Sequence, residues 1–214
     1  MRRSSDHSGY SLPQPIFTDC LNFVDYSKLS MINTLDFSHI RFVPATVSFL
    51  EMHAAPANSI LIKPETTFTR LEKPVSVAEY REYYYGVGKE WHWLDRMVMP
   101  DQELFEKINA ANTEIWVMKI NDVPAGFAEF VCENDFTEIQ YFGLLPDFVG
   151  KGYGSYFLAW VIEKAWSYHP TWIQLNTCTL DHPNALAVYQ KAGFVKVRTE
   201  VQQRRVYEFK GSRV

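Results

Sequence analysis

The string FVGKGYGSYFL, residues 148–158, sets three glycines at alternate positions, Gly150, Gly152 and Gly154, directly before an apolar, helix-compatible run. Glycine in such a place serves a backbone that must turn through positive φ or let another group come very close. A helix N-terminus with bare glycine amides is a ready site for phosphate. After the loop, Leu158, Val161, Ile162 and Ala165 recur at helical spacing, and before it FTEIQYFGLL (136–145) reads as a strand closed by Pro146. A strand, a glycine loop and a helix in that order point to an α/β arrangement with a candidate anion site at the strand's end.

Two known phosphate loops do not fit. A Walker A loop needs G-x-x-x-x-G-K-[ST], and no such string occurs. A dinucleotide loop needs G-x-G-x-x-G, but counting from Gly150 or Gly152 the third glycine is replaced by Ser155 or Phe157. A tight turn without a ligand is the plain alternative.

The rest of the chain predicts one sheet with helices on both faces. ATVSFLEM (45–52) and SILIKPET (59–66) read as strands, and SVAEYREYYYGVG (76–88) as a helix opened by a Ser cap with Glu three residues later. PDQELFEKINA (100–110) is a short helix, and 114–120 with 125–132 form a hairpin around Asn121, Asp122 and Pro124. TWIQLNTCTL (171–180) is a strand, HPNALAVYQKAG (182–193) a helix ending at Gly193, and FVKVRTEV with RRVYEFK two closing strands. Residues 1–40 lack periodicity and read as an extension whose Phe17, Leu21, Phe23 and Tyr26 pack onto a single domain spanning 41–214.

A net charge of -4 gives no electrostatic reason to expect nucleic acid as the main partner. No apolar run reaches membrane-spanning length, and the N-terminus has no apolar core for a secretory signal. Three widely spaced cysteines, Cys20, Cys132 and Cys178, argue against a disulfide framework and fit a reducing, cytoplasmic setting. His92, His169 and His182 form no convincing metal set, nor do Cys178 and His182, which straddle a loop, so no metal is expected.

The string Val149-Gly150-Lys151-Gly152-Tyr153-Gly154 resembles the pyrophosphate loop of the GNAT superfamily of acyl-CoA-dependent N-acyltransferases, Gln/Arg-x-x-Gly-x-Gly/Ala. The glycines match, while Val149 stands where Gln or Arg is usual. A second segment, NALAVYQKAGF (184–194), resembles that family's Asn-Ala-x-x-x-Tyr-x-x-x-Gly-Phe pattern through Asn184, Ala185, Tyr189, Gly193 and Phe194. The resemblance covers roughly residues 45–210 and implies a mixed, mostly antiparallel central sheet flanked by helices and splayed between the fourth and fifth core strands.

It further implies an acetyl-CoA-dependent N-acetyltransferase working by direct attack in a ternary complex. By that resemblance residues 149–154 and Ser155 hold the pyrophosphate, the backbone at Phe142, Gly143 and Leu144 meets the acyl group and pantetheine, and Asn184 meets the pantetheine arm. Glu138, on the strand before the loop, is the expected base, Glu129 its rival, and Tyr189 the expected proton donor to the leaving thiolate. The aromatic segment YYYGVGKEWHWLDR (83–96) is expected beside the acceptor, with Tyr84, Trp91, Trp93, Asp95 and Glu129 as candidate contacts to a cationic amine. The acceptor is a small-molecule amine, a peptide N-terminus or a lysine side chain. A homodimer is compatible with the sequence, and a silent acyl-CoA-binding module is the alternative to an enzyme.

Overall fold

The computed structural model describes residues 39–57 and 59–207. The expected packing of Phe17, Leu21, Phe23 and Tyr26, and Cys20 with them, lies outside the described residues. Seven strands form one sheet in the order β2-β3-β4-β5-β6-β1-β7. They are β1 (Ile40–Met52), β2 (Thr66–Arg70), β3 (Thr113–Ile120), β4 (Val123–Cys132), β5 (Phe136–Leu144), β6 (Trp172–Cys178) and β7 (Val195–Tyr207). Among the described residues five α-helices accompany them: α1 (Val77–Gly88), α2 (Asp95–Val98), α3 (Asp101–Asn109), α4 (Tyr153–Trp166) and α5 (Ala185–Lys191). Every strand pair is antiparallel except β5 with β6.

Alternation along β3 and β4 separates two cores. Met118, Ala128 and Phe130 face α4, where Phe157, Leu158 and Val161 are fully buried against them. Val117 and Phe127 face the opposite side, where Tyr80 and Tyr84 of α1 and Leu104 and Ile108 of α3 close a second core. Helix α1 starts as its sequence predicts: the Ser76 side chain accepts a hydrogen bond from the Glu79 amide.

Three local expectations are corrected. The strand expected at 59–66 begins only at Thr66. Before it, the Ile60 amide donates to the Glu163 carboxylate and the Lys63 amide to the Tyr156 hydroxyl, so α4 side chains take the bonds a neighbouring strand would otherwise supply. Pro124 lies inside β4 beside a bulge, and the reversal is made by Asn121 and Asp122 at φ 49° and 64°. The two closing strands are one, β7, paired with β1 from Ile40↔Tyr207 to Glu51↔Val195. The polar Gln202-Gln203 step reads as a break in sequence but is harmless on an edge strand, where one flank meets solvent.

Two features of β5 shape the site. Its pairing with β6 stops after Phe136↔Trp172, Thr137↔Ile173 and Glu138↔Gln174, and beyond that point the strands splay apart. On its other flank the register with β4 slips between Phe130↔Ile139 and Glu129↔Tyr141, which leaves Gln140 as the extra residue of a bulge.

Candidate active site

The splay opens a cavity of about 750 Å³ between β5 and β6. Its floor includes Tyr141, Phe142, Gly143 and Leu144, whose backbone toward β6 has no strand partner. At the mouth stand Val149, Gly150, Gly152, Gly154 and Ser155 of the loop and first turn of α4. Gly150 and Gly152 adopt φ of 77° and 80°, and a Cβ on either would meet nothing within 4 Å. Their absent side chains therefore leave open space over the helix end. No side chain caps α4, so its first amides point toward that space. Lys151 and Tyr153 are turned away from the cavity: the Lys151 ammonium lies 5.8 Å from the Phe148 ring, and the Tyr153 hydroxyl donates to Glu65 at 3.4 Å. A second cavity of about 530 Å³ lies between α4, α5 and the segment after β1, and Ser155 and Val188 line both.

Tyr189 and Asn184 bring α5 into the wall. Asn184 is exposed and makes no cap bond with its side chain, which leaves the amide group available. Tyr189 sits edge-on to Phe142 and Phe194 at 6.5 and 6.3 Å, and its hydroxyl makes no hydrogen bond among the described residues. Burial, aided by the Asp181 charge, holds its phenol above the ordinary tyrosine range, so it stays protonated at neutral pH.

Glu138 does not line the cavity. It sits at the last paired position of β5, where the splay begins. Burial raises its carboxyl above the ordinary value, hydrogen bonds from Gln174 and Asn176 pull it down, and Glu129 pushes it up again. Asn176, one of the groups that lowers the Glu138 carboxyl, lines the cavity.

Glu129 was expected as a base or acceptor contact and is neither placed nor free for that. It is 1% exposed, its carboxylate accepts from Arg96 Nη2 at 2.9 Å and from the Tyr80 hydroxyl, and it does not reach the cavity. Burial pushes its carboxyl up, and Arg96 opposes the shift. Asp95 does line the cavity, but its charge is taken by Arg205 Nη1 at 2.6 Å and Arg204 Nη1 at 3.6 Å. It is not the open anion a cationic amine would need.

Tyr84, Trp91 and Trp93 all line the cavity. Trp93 donates from Nε1 to Asp181 Oδ1 at 3.1 Å, Trp91 lies 5.1 Å from His182, and Tyr84 meets Tyr141 edge-on at 4.9 Å. The sequence reading missed Tyr141, Asn176, Asp181, Arg204 and Arg205, which also line the cavity. Tyr141 follows the bulge, and burial pushes its phenol up to about 12. No motif marks Arg204 or Arg205: paired arginines in an alternating strand read as a solvated face. Among the described residues no group of three or more His, Cys, Asp or Glu side chains is arranged to hold a metal ion.

Comparison with known proteins agrees with this architecture. Residues 67–194 match the model of the Acetyltransferase (GNAT) family. No protein of curated function matches the chain. Among solved structures, a functionally unknown conserved protein from Staphylococcus epidermidis is similar at 16% identity and a TM-score of 0.53, with 78% of this chain and 64% of that chain covered. A candidate GNAT-family acetyltransferase from Novosphingobium aromaticivorans is similar at 14% identity and a TM-score of 0.51, covering 80% and 69%. A GCN5-related N-acetyltransferase from Sphaerobacter thermophilus is similar at 15% identity and a TM-score of 0.51, covering 85% and 56%. The chain thus spans a little over half to about two thirds of these proteins, and at such identity the likeness concerns the fold. The family match covers more than half of the 214 residues, and it meets a splayed strand pair opening on an uncapped glycine loop: the chain belongs to the GNAT acetyltransferase family.

Proposed function

We propose that the protein transfers an acetyl group from acetyl-CoA to a primary amine by direct attack in a ternary complex. The observation that carries this reading is the opening of the β5–β6 splay onto the uncapped N-terminus of α4. An extended thioester arm can pair with the free backbone of residues 142–144 in the manner of an added strand. Its pyrophosphate then lies over the amides of the glycine loop. The nucleotide end continues into the second cavity, where Lys191 is available to a phosphate. Asn184 serves the pantetheine arm.

In this reading the amine nitrogen attacks the thioester carbon, the C–N bond forms and the C–S bond breaks. An amide on β5 polarises the carbonyl oxygen as charge develops on it. Glu138 accepts the amine's proton through a water beside Asn176, and its raised carboxyl brings it closer to the range a base needs. Tyr189 donates a hydrogen bond to the departing sulfur. Its phenol is a weaker acid than a thiol, whose ordinary pKa is about 8.5, so Tyr189 stabilises the thiolate by that bond and retains its proton. Cys132 and Cys178 are free thiols, which supports a reducing compartment such as the cytoplasm. Among the described residues no helix is long and apolar enough to cross a membrane.

The absence of Glu138 from the cavity wall favours one rival, an acyl-CoA-binding module without turnover. Acetyl-CoA titration together with thiol release across an amine panel separates the two. Binding with amine-dependent thiol release supports the transferase, binding without release supports the module, and failure to bind removes both.

A further inference from the structure

We infer that the acceptor amine also carries a carboxylate, received by Arg204 at the β7 wall of the cavity, and an aromatic body that lies against the cavity's rings. This rests on the acetyl-transfer reading and names the acceptor class for that same site.

The first ground is an unused guanidinium. Arg204 and Arg205, near the end of β7, both line the cavity. A single carboxylate, Asp95, lies between them. Arg205 holds Asp95 Oδ1 at 2.6 Å, while Arg204 stands 3.6 Å from Oδ2, beyond hydrogen-bond reach. Among the described residues Arg204 donates no hydrogen bond at all, and its Nε is buried without a partner. A guanidinium carries five donors and is always charged; a buried Nε left without an acceptor is costly, and the partly exposed terminal nitrogens remain open to a ligand. Its fork matches the two oxygens of a carboxylate.

The charge count selects the anion. Arg204 and Arg205 against Asp95 leave one positive charge at this wall, and the Asp181 carboxylate elsewhere in the lining keeps its own negative charge, so the cavity suits at most a monoanion. A phosphomonoester, at about -1.5 to -2, would exceed it. The cavity's other carboxylate, Asp181, is already satisfied by neutral donors: Trp93 Nε1, the Thr177 hydroxyl and the Cys178 amide. It neither occupies Arg204 nor offers a free oxygen to a second cation.

The rings select the body. Trp93 is fixed by Asp181 and packs on Tyr84 at 5.5 Å, so its face is held in place. Trp91 and Trp93 line the same cavity as Arg204, with Tyr84 buried behind Trp93, and a flat aromatic group gains most from such walls. An aromatic α-amino acid, or a short peptide ending in a carboxylate, fits this arrangement with its amine directed at the splay. The carboxylate takes no part in bond making.

The test compares matched pairs that differ only in the carboxylate. Tyrosine and tyramine serve as acceptors in thiol release from acetyl-CoA. N-acetyltyrosine and N-acetyltyramine serve as ligands in calorimetric titration of the full chain, which needs no turnover. The carboxylate member is expected to show at least a tenfold lower KM and Kd. Arg204→Gln is expected to reduce both ratios to within about twofold, with the melting midpoint and acetyl-CoA affinity reporting that the variant is folded. Arg204→Lys, which keeps the charge but loses the fork, is expected to fall between. Equal binding of the two members in the wild-type chain overturns the proposal, as does a preference that survives Arg204→Gln in a folded variant, or binding of neither N-acetyl compound. A chain that fails to bind acetyl-CoA but still prefers N-acetyltyrosine through Arg204 would refute the transferase reading alone.

Discussion

Arg96 Nη2 and Glu129 Oε1 lie 2.9 Å apart in a fully enclosed ion pair directly behind the bulged strand. Arg96 also lies 5.4 Å from the Tyr141 ring, and Glu129 stands opposite Tyr141 in the β4–β5 register. The pair therefore fastens α2 to β4 and supports the floor of the cavity from below. Removing one member of such a pair strands a buried charge, which typically costs about 3–5 kcal/mol. Glu129→Gln should lower stability by about 3 kcal/mol in a urea melt and raise KM for the acceptor more than Kd for acetyl-CoA. A loss of less than about 1 kcal/mol would mean that water relieves Arg96.

Glu138 has a two-sided prediction. Its folded-state carboxyl is raised, so folding favours the protonated form. The unfolded chain binds fewer protons through that window, stability falls as pH rises through it, and the penalty is fully present above the folded pKa. Glu138→Gln removes the charge and should leave the protein at least as stable at pH 7. Turnover at neutral pH should nevertheless fall by roughly 10²–10⁴-fold. In the wild-type chain the rate should decline as pH drops through a pKa above the ordinary glutamate value, and Glu138→Gln should lack that limb. Its defect should shrink at high pH, where more of the amine is neutral. A wild-type profile in Glu138→Gln would remove Glu138 from the mechanism.

Tyr189→Phe deletes only a hydroxyl that has no bond to the described residues. Turnover should fall roughly 10–100-fold, at the lower end of what positioned proton donors contribute, while acetyl-CoA affinity stays within about threefold. Single-turnover kinetics, with chemistry limiting, is the measurement that decides.

Gly152→Val separates strain from occlusion. The backbone at φ 80° resists any side chain, at a cost of roughly 1–2 kcal/mol. Nothing in the protein lies within 4 Å of the new Cβ, so the fold should otherwise survive. Acetyl-CoA binding should weaken at least tenfold, because the branched methyls fill the space over the helix end. Unchanged affinity in a folded variant would move the pyrophosphate elsewhere.

Much of this architecture is legible in the sequence because its determinants are local. The Ser76 cap, the helical spacing of Leu158, Val161 and Ile162, and the glycines of the loop each state their structure over a few residues. The half of the site proposed for the acyl donor follows from them. The acceptor half is not local. Asp95 and Arg205 are 110 positions apart, as Trp93 and Asp181 are 88 apart, and no spacing rule joins either pair. That is why Asp95 reads in sequence as an open anion and stands in the structure as the counter-ion of two arginines. Glu129 misleads for a related reason: an acidic residue at an alternating strand position gives no sign of whether its face meets solvent or a buried guanidinium.

The incomplete pairing of β5 with β6 divides the cavity into halves with different freedom to change. Three registered pairs keep the sheet closed at one end, and beyond them the main chain of β5 is left unpaired on that flank, where the proposed donor would lie. Main-chain groups are the same whatever residues carry them, so that half of the site tolerates drift along β5. The opposite wall consists of side chains on α1, α2 and β7, including Tyr84, Asp95 and Arg204. A lineage built on this scaffold can exchange those few side chains and change its clientele while its donor chemistry stays the same.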